Sequence, residues 1–309
     1  MQDLKFAYGK GYISINEDAK VKITETGESW RMQWLDYRPE DCPILVLPDN
    51  QYCIKSTGEV RERKQKAVSR ADNLYYVRKS MSRMRDYIST NITSDTISNT
   101  VWVTFTYADN MTDDKKLMDD WRNFNRFYRQ VVGNYEYIAV AEPQARGAWH
   151  LHVFLIFDSP PYIDYNLIRS TWGKGRVEVQ YIRGDIDNLG AYLSAYLSNI
   201  NLQEIAKNNN NTHDLNIIYR LQTDGSNKSF VKGMRLSMYP PNFKLCRCSR
   251  NVKKPREFLT DVKTAKEKIG DTSPDFEKVA EIADETHNYY NLVYTAYYNT
   301  KSNKNQDII

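Results

Sequence analysis

The segment at 135–157 constrains the fold of this chain more than any other. It reads YEYIAVAEPQARGAWHLHVFLIF, in which two apolar runs, 135–142 and 150–157, flank a turn-like stretch that contains Gly147. Two apolar runs joined by a short stretch with a glycine predict a β-hairpin. The prediction of a sheet therefore starts from this hairpin.

Three polar side chains interrupt the apolar pattern of the hairpin. His150 and His152 are two residues apart in the second strand, so both imidazoles project from the same face. Glu142 closes the first strand, and we expect it to lie across the hairpin from the two histidines. Two nitrogens and one carboxylate that converge on a sheet suit a catalytic divalent cation. The alternative, half-buried histidines that make only hydrogen bonds, stays open on this stretch alone.

The segments around the hairpin predict the rest of one domain. A β-branched and aromatic strand and a helix with one apolar stripe precede it, and a second helix and a fourth strand follow. These elements are expected at 101–107, 115–132, 163–172 and 175–182. The order β-α-β-β-α-β predicts an α+β fold, a ferredoxin-like or RRM-like unit with a central antiparallel sheet and helices on one face.

We expect three consecutive regions along the 309 residues. Short alternations of polar and apolar residues predict a small β-rich extension at 1–68. The domain built on the hairpin occupies 69–256, beginning with an amphipathic basic helix and ending in a basic segment. The pattern at 257–309 predicts a helical tail, whose last residues, 302–309, are expected to be disordered.

Composition excludes several classes of protein. No run approaches the roughly 20 apolar residues that a membrane span needs. The N-terminus lacks the apolar run of a signal peptide, so we expect a cytoplasmic protein. The four cysteines include no C-x2-C pair, which argues against a four-cysteine zinc site. Tyrosine is abundant, with 23 residues whose flat rings suit stacking on bases as well as packing.

The net charge of +4 is modest, but the positive charges are clustered. The stretch 226–256 combines lysines and arginines with interleaved aromatic residues and contains no acidic residue. A solvated surface normally carries both signs, so this run favours a polyanionic partner such as nucleic acid. The basic face of the helix that follows Ser69 fits the same partner, although a solvated surface helix explains it equally well.

A further helix is predicted at 188–206, NLGAYLSAYLSNINLQEIA. Tyr192 and Tyr196 are four residues apart, so their hydroxyls lie on one helical face about one turn from each other. The same residues also extend an apolar packing stripe, which periodicity alone favours. The helix by itself therefore does not distinguish nucleophiles from core residues.

Taken together, these residues resemble a known superfamily. The strand VTFTY, the strand HLH and the helix YLSAY occur in the order of the three motifs of HUH endonucleases. Within that superfamily the chain is similar to rolling-circle replication initiators, and more narrowly to proteins related to the gene-two initiator of filamentous phages. The resemblance runs from Ala71 to Pro255 and includes the surrounding segments WGKGRVEVQYI and RLSMYPPNFKLCRCSRNVKKP.

The resemblance implies a nuclease that nicks one strand at an origin, forms a 5′-phosphotyrosine, frees a 3′-OH primer and later rejoins the strand. It implies that His150, His152 and Glu142 bind a divalent metal, Mg²⁺ or Mn²⁺. It also implies paired tyrosine nucleophiles, of which we expect Tyr192 to act first and Tyr196 to act second or in support.

One departure from the family pattern concerns charge near the tyrosines. The family often carries a lysine three residues after each tyrosine, whereas this chain has Ala195 and Asn199. Lys174 and Arg176 are candidates to supply that charge. The cations expected to contact DNA are Arg78, Arg83, Lys174, Arg176, Lys232, Arg235, Lys244, Arg247, Arg250, Lys253 and Lys254.

The implied partners are single-stranded or hairpin origin DNA and a host DNA polymerase. The sequence has no G-x4-GK[ST] phosphate loop, so unwinding is expected to come from a separate helicase. The sequence leaves open whether the chain forms a homo-oligomer. Two alternatives remain for the function: a conjugative relaxase or single-strand transposase with the same chemistry, and a non-catalytic origin-binding protein.

Overall fold

A computed structural model describes most of the chain. The described residues are 4–8, 11–36, 44–49, 51–62, 74–182, 189–190, 193, 197, 199–201, 217–221, 227–231, 233–270, 272–284 and 289–299. The chain divides into two compact units, one formed by 67–254 and the other by 1–66 together with 255–309. No helix in the described ranges is long and apolar enough to cross a membrane.

The strands and helices are numbered here in chain order. The first unit along the chain begins with β1 (Leu4–Tyr8), β2 (Gly11–Ile15), β3 (Lys20–Glu25), β4 (Ser29–Leu35), β5 (Ile44–Val46), β6 (Gln51–Ile54) and β7 (Val60–Glu62). The unit at 67–254 contains α1 (Leu74–Asn91), β8 (Thr100–Phe105), α2 (Asp114–Val132), β9 (Glu136–Pro143), β10 (Trp149–Ile156), α3 (Tyr165–Trp172), β11 (Val177–Tyr181), β12 (Ile200–Asn201), β13 (Ile217–Leu221), β14 (Asn227–Val231) and β15 (Cys246–Cys248). Two short 3-10 helices, Ile97–Asn99 and Met234–Met238, also lie there. The chain ends with β16 (Arg256–Asp261), α4 (Val262–Ile269), β17 (Phe276–Asp284) and β18 (Tyr289–Asn299).

The unit at 67–254 is organised by a five-stranded antiparallel sheet. Its strand order is β11-β8-β10-β9-β15. The first four strands have the 4-1-3-2 order that β-α-β-β-α-β connections produce in a ferredoxin-like unit. The predicted α+β fold with a central antiparallel sheet is confirmed, and β15 is an additional strand at the edge beside β9.

Helices α2 and α3 cover one face of this sheet. The apolar stripe of α2 is buried at Leu117, Trp121, Phe124 and Tyr128, as the 3.6-residue period requires for a helix that faces a core. Phe105 of β8 contacts both helices, with ring centroids 4.6 Å from Phe124 and 4.9 Å from Trp172 of α3. Because strand side chains alternate between faces, the neighbouring Thr104 lies on the opposite face.

The predicted hairpin is present as β9 and β10. His150 pairs directly with Glu142 across the two strands, and Trp149 pairs with Pro143 at their end. Gly147 has a φ of +90° in the connecting turn, a conformation that glycine adopts without a Cβ penalty. The turn therefore sets the register that places His150 opposite Glu142.

The unit formed by 1–66 and 255–309 corrects the predicted helical tail. Only α4 is helical among the described residues of 257–309, because β16, β17 and β18 are strands. They pair with β3 and β4 in a sheet of order β16-β3-β4-β18-β17. Along β18 the buried apolar side chains are Tyr294, Ala296 and Tyr298, a period of two that the tyrosine-rich sequence concealed, and the polar Asn291 and Thr295 are buried as well. The segments predicted as an extension at 1–68 and a separate tail thus contribute to one sheet.

The helix predicted at 188–206 is shorter than expected. The described positions 189, 190, 193 and 197 are helical. Ile200 and Asn201 instead form β12, which pairs with β14 through Ile200 and Val231. Pairing with a strand distant in sequence ends the helix before its apolar pattern ends. Ala195 and the segment 302–309 lie outside the described residues.

Candidate metal centre and nucleic-acid interface

The predicted ligand triad is assembled on the sheet face opposite α2 and α3. One potential ligand atom each from Glu142, His150 and His152 lies within 4.8 Å of the other two. Glu142 and His152 are buried, whereas His150 is partly exposed. Strand alternation brings the two histidines to one face, and the register of β9 and β10 adds the carboxylate. Among the described residues, Glu142, His150 and His152 form the one cluster of three or more histidine, cysteine or acidic side chains that could hold a metal ion.

The ring of His152 is held from two sides. Its Nε2 lies 2.6 Å from Oε2 of Glu142, and its Nδ1 lies 3.2 Å from Oγ1 of Thr104 on β8. Trp102 packs edge-on against the ring, with centroids 5.9 Å apart. A hydrogen bond at Nδ1 leaves Nε2 as the nitrogen that faces the carboxylate and the neighbouring imidazole.

Arg235 occupies a different position from the one predicted. We expected it among the surface cations that meet DNA phosphates, but it is only 3% exposed. Its Nη1 lies 2.8 Å from Oε1 of Glu142 and also donates to the carbonyl of Pro143. Its Nε donates to the carbonyl of Asn199 at 3.1 Å. The prediction of a surface role is wrong because the 3-10 helix that carries Arg235 directs it into the sheet end beside the triad.

The electrostatic environment keeps Glu142 and His150 in forms that bind cations. For Glu142, burial raises the pKa, but the hydrogen bond with His152 and the charge of Arg235 outweigh it, so the pKa lies below its ordinary value. Burial lowers the pKa of His150 to about 4, and Glu142 offsets this only in part. An ionised carboxylate and a neutral imidazole are the protonation states that a metal requires.

The geometry and chemistry of the three side chains fit a divalent cation. One potential ligand atom from each side chain lies within 4.8 Å of the other two, so a single ion could contact all three residues. Nitrogen and oxygen donors on three protein side chains leave further coordination positions for a substrate oxygen. Glu142, His150 and His152 are therefore the residues that would hold the ion.

The two predicted nucleophiles lie outside the described residues. Tyr192 and Tyr196 are each followed by a leucine, and both leucines, Leu193 and Leu197, are buried in the core. Gly190 permits the close approach of this segment to α1, because a Cβ there would lie 3.2 Å from Cα of Arg85. Leu193 and Leu197, the described neighbours of the two tyrosines, thus pack into the same core as the strands that carry the triad.

Five of the predicted DNA-contacting cations meet at one edge of the sheet. A cavity of about 820 Å³ opens beside β15, between α1 and α2, and no acidic residue is among those that line it. The predicted cations in its lining are Arg83, Lys244, Arg247, Arg250 and Lys254. Tyr87, Trp121 and Tyr137 also line it. The cavity combines the positive charge and aromatic rings that a nucleic-acid strand requires.

Other predicted cations have separate locations. Lys253 is exposed, and its backbone N–H donates to Oδ1 of Asn91 in α1. The side chain of Arg78, which belongs to α1, and the whole of Lys232 lie outside the described residues. The sequence prediction of DNA contact for these three residues stays a prediction.

Lys174 and Arg176 lie at the opposite edge of the sheet from β15. Lys174 Nζ is 3.3 Å from Oδ1 of the buried Asp120, so Lys174 forms an ion pair inside the domain. The side chain of Arg176 is 77% exposed and lies 3.7 Å from Glu178 of β11. Glu178 pairs with Thr104, which pairs with His152, so Arg176 and the triad share a sheet face. Of the two, Arg176 has the position from which a phosphate near the triad can be reached.

Sequence reasoning missed two side chains that act on the triad. Thr104 could have been found from the strand VTFTY, where threonines alternate with apolar residues on one face. Arg146 lies in the turn between β9 and β10 and donates to the carbonyl of Tyr107 at 3.4 Å. Its positive charge contributes to the lowered pKa of His150, after burial and alongside His152 and Arg235. The sequence before Arg146, Glu-Pro-Gln-Ala at 142–145, contains no pattern that predicts the contact of Arg146 with Tyr107.

Comparisons with known proteins agree on replication. Residues 100–201 match the family model of replication-associated proteins that comprises the ORF2 and gene-two proteins. The Phasyl DNA replicon protein arp of Escherichia coli is 29% identical over 128 residues, which are 33% of this chain and 44% of that relative. The chain thus spans less than half the length of this curated relative. No solved structure matched. The segment 100–201 contains β8, the hairpin and all three residues of the triad.

Proposed function

We propose that this chain is a rolling-circle replication initiator of the gene-two type, because residues 100–201 match the family model of replication-associated ORF2 and gene-two proteins and part of the chain is similar to a replicon protein. It cuts one strand of origin DNA, remains joined to the 5′ end and later rejoins the strand. The observation that carries this proposal is the cluster of Glu142, His150 and His152 on one face of an antiparallel sheet. A domain that only bound DNA would have no need of a buried carboxylate beside two imidazoles.

The triad would prepare a phosphodiester for attack. A divalent cation bound there would polarise a non-bridging phosphate oxygen. Glu142 and His152 are held by Arg235 and Thr104, so they offer a fixed set of donor atoms. Arg176, exposed on the same face, is placed to pair with the phosphate group of the approaching strand.

A tyrosine would supply the nucleophile. The oxygen of Tyr192 attacks the phosphorus, the P–O3′ bond breaks, and the departing oxygen takes a proton to become the 3′-OH primer. Tyrosine has a pKa of about 10, so it needs nearby positive charge and a positioned phosphate to react at neutral pH. Tyr196, one helical turn later, would cut again while the first tyrosine still holds a DNA end.

The basic cavity beside β15 gives the strand a path away from the cut. Phosphates would pair with Lys244 and Arg250, while bases stack on partly exposed rings in the lining such as Tyr87. In this proposal the working ion is Mg²⁺ or Mn²⁺, a separate helicase unwinds the duplex, and a host polymerase extends the primer. Binding of single-stranded or hairpin DNA would precede cleavage.

A covalent-adduct assay tests the proposed chemistry. The full chain is incubated with Mn²⁺ and hairpin-forming single strands that tile the DNA flanking its own gene, each labelled at the 3′ end. We expect a labelled protein band that resists SDS, disappears with EDTA and is absent from Tyr192→Phe. Tyr162→Phe is the matched control, because Tyr162 is 91% exposed and should leave the adduct unchanged.

Three results would change the proposal in different ways. An adduct kept by Tyr192→Phe and lost by Tyr196→Phe reverses the order of the two nucleophiles. An adduct kept by the double phenylalanine variant rejects tyrosine chemistry. Sequence-specific binding without any Mn²⁺-dependent cutting would favour the non-catalytic origin-binding protein instead.

A further inference from the structure

Arg235 is a buried cation that joins two parts of the candidate active site. It lies in the short 3-10 helix Met234–Met238 and is 3% exposed. A buried charge is strongly unfavourable unless it is paired and hydrogen-bonded. Its guanidinium meets the Glu142 carboxylate on one side and the carbonyl of Asn199 on the other. Both contacts are to segments that the proposed reaction uses.

The first contact orients a metal ligand. Arg235 Nη1 lies 2.8 Å from Oε1 of Glu142, so it pairs with the carboxylate oxygen that is not hydrogen-bonded to His152. The other oxygen, Oε2, lies 2.6 Å from His152 Nε2. The same Nη1 also donates to the carbonyl of Pro143, the last residue of β9. The carboxylate is therefore restrained with one oxygen directed at the imidazoles, as ligands held by outer partners are.

The second contact is to Asn199, the last residue of the tyrosine segment, by which we mean the sequence 192–199 that contains Tyr192 and Tyr196. Asn199 is three residues after Tyr196 in the sequence. Its carbonyl accepts from Arg235 Nε at 3.1 Å, and its Oδ1 accepts from the backbone N–H of Gly233 at 3.1 Å. The next residue, Ile200, pairs with Val231 of β14. The chain that leaves the tyrosine segment is thus bound to the same loop that carries Arg235.

We propose that Arg235 is a positioning residue that sets the tyrosine segment and the Glu142 carboxylate at a fixed distance from each other. Nε and Nη1 are different nitrogens of one planar group, so a single rigid side chain spans both contacts. Its ion pair restrains the direction of the Glu142 carboxylate, and its Nε holds the carbonyl of Asn199 in place. This inference rests on the proposed nicking function for its second half, and its first half concerns metal affinity alone.

Two substitutions separate charge from shape. Arg235→Met removes both, whereas Arg235→Lys keeps a positive charge that reaches Glu142 but lacks the planar group that also reaches Asn199. Mn²⁺ affinity is measured without DNA, from the electron paramagnetic resonance signal of free Mn²⁺. The rate of adduct formation is measured at saturating Mn²⁺. Arg126→Met, an exposed arginine on α2, is the control for loss of one positive charge.

The expected pattern distinguishes a positioning role from simple packing. Arg235→Met should weaken Mn²⁺ binding about tenfold or more, the range seen when an outer partner of a ligand is lost. Arg235→Lys should bind Mn²⁺ within about threefold of the wild type and still form the adduct about tenfold more slowly, since misplaced reactants lose rate. Arg126→Met should leave Mn²⁺ affinity unchanged.

Specific outcomes would overturn each half of the inference. Wild-type Mn²⁺ affinity in Arg235→Met rejects the role toward Glu142, and a wild-type adduct rate in Arg235→Lys rejects the role toward Asn199. If the wild type itself forms no adduct, the nicking proposal fails, while the Mn²⁺ affinities still decide the first half. Circular dichroism shows whether Arg235→Met folds. If it does not, Arg235→Lys tests the role toward Glu142 instead. Because the lysine keeps the positive charge, a loss of Mn²⁺ affinity in that variant would reject a role for the charge.

Discussion

The hydroxyl of Thr104 is a single group on which the geometry of the triad depends. It lies 3.2 Å from Nδ1 of His152 and comes from β8, a strand outside the hairpin that carries the ligands. The hydrogen bond selects which imidazole nitrogen faces Glu142. The hairpin thus supplies the donors, and its neighbour strand orients one of them.

We predict that Thr104→Val weakens Mn²⁺ binding about tenfold, because an imidazole without its outer hydrogen bond loses orientation and basicity. Titration calorimetry of the full chain with Mn²⁺ measures the effect. Thr106→Val is the matched control, since the Thr106 hydroxyl donates to the carbonyl of Arg176 instead of a histidine. Equal losses in both variants would show that general damage to β8, not the bond to His152, is responsible.

At the scale of elements, the domain depends on close approach between strands and their connections. Gly175 precedes β11, and a Cβ at this position would lie 2.5 Å from the carbonyl oxygen of Thr106 and 2.7 Å from the backbone nitrogen of Ala108. Both neighbouring atoms belong to backbone, which cannot rotate away as a side chain does. The path of the chain into β11 therefore requires glycine.

We predict that Gly175→Ala lowers the free energy of unfolding by about 1–3 kcal/mol, the usual cost of forcing an extra carbon into a packed region. Urea denaturation followed by tryptophan fluorescence measures it. Arg176→Ala, at the adjacent and exposed position, should change stability by less than about 0.5 kcal/mol. A Gly175→Ala variant as stable as the wild type would mean that the β8 end moves away without cost.

The periodic patterns predicted the elements of this domain well. The segments at 101–107, 115–132, 163–172 and 175–182 correspond to β8, α2, α3 and β11 within a few residues at each end. The same reasoning was wrong for β18, where tyrosines on both faces hid the alternation of the buried apolar side chains Tyr294, Ala296 and Tyr298. It was also wrong for Ile200, because a helical pattern cannot reveal a strand partner that is distant along the chain.

At the scale of the whole molecule, positive charge is divided between the two edges of the five-stranded sheet. Arg176 lies at the β11 edge, and the basic cavity lies at the β15 edge. The triad on β9 and β10 lies between them. A DNA strand that ran across the sheet from Arg176 past the triad would reach the cations of the cavity at the β15 edge.

We predict that Arg83→Gln combined with Arg250→Gln weakens single-strand binding and reduces its salt dependence. Each lost phosphate contact should lower the slope of log K against log salt by about 0.7. Fluorescence anisotropy at several salt concentrations measures the slope. Arg126→Gln on α2 is the control, because it also removes one positive charge but lies outside the lining of the cavity. An unchanged slope in the double variant would exclude the β15 cavity from the DNA path.

The sequence by itself determined the hairpin, the shared face of His150 and His152 and the pairing of Glu142 with them, because alternation and turn chemistry are local properties. It also determined the resemblance to gene-two-type initiators, which is confirmed over residues 100–201. Only the tertiary structure decided the partners that reach these residues from elsewhere. Arg235 meets Pro143 across 92 positions of sequence, and β3 finds β16 at the far end of the chain. Contacts of that separation depend on how elements pack, and no local pattern records them.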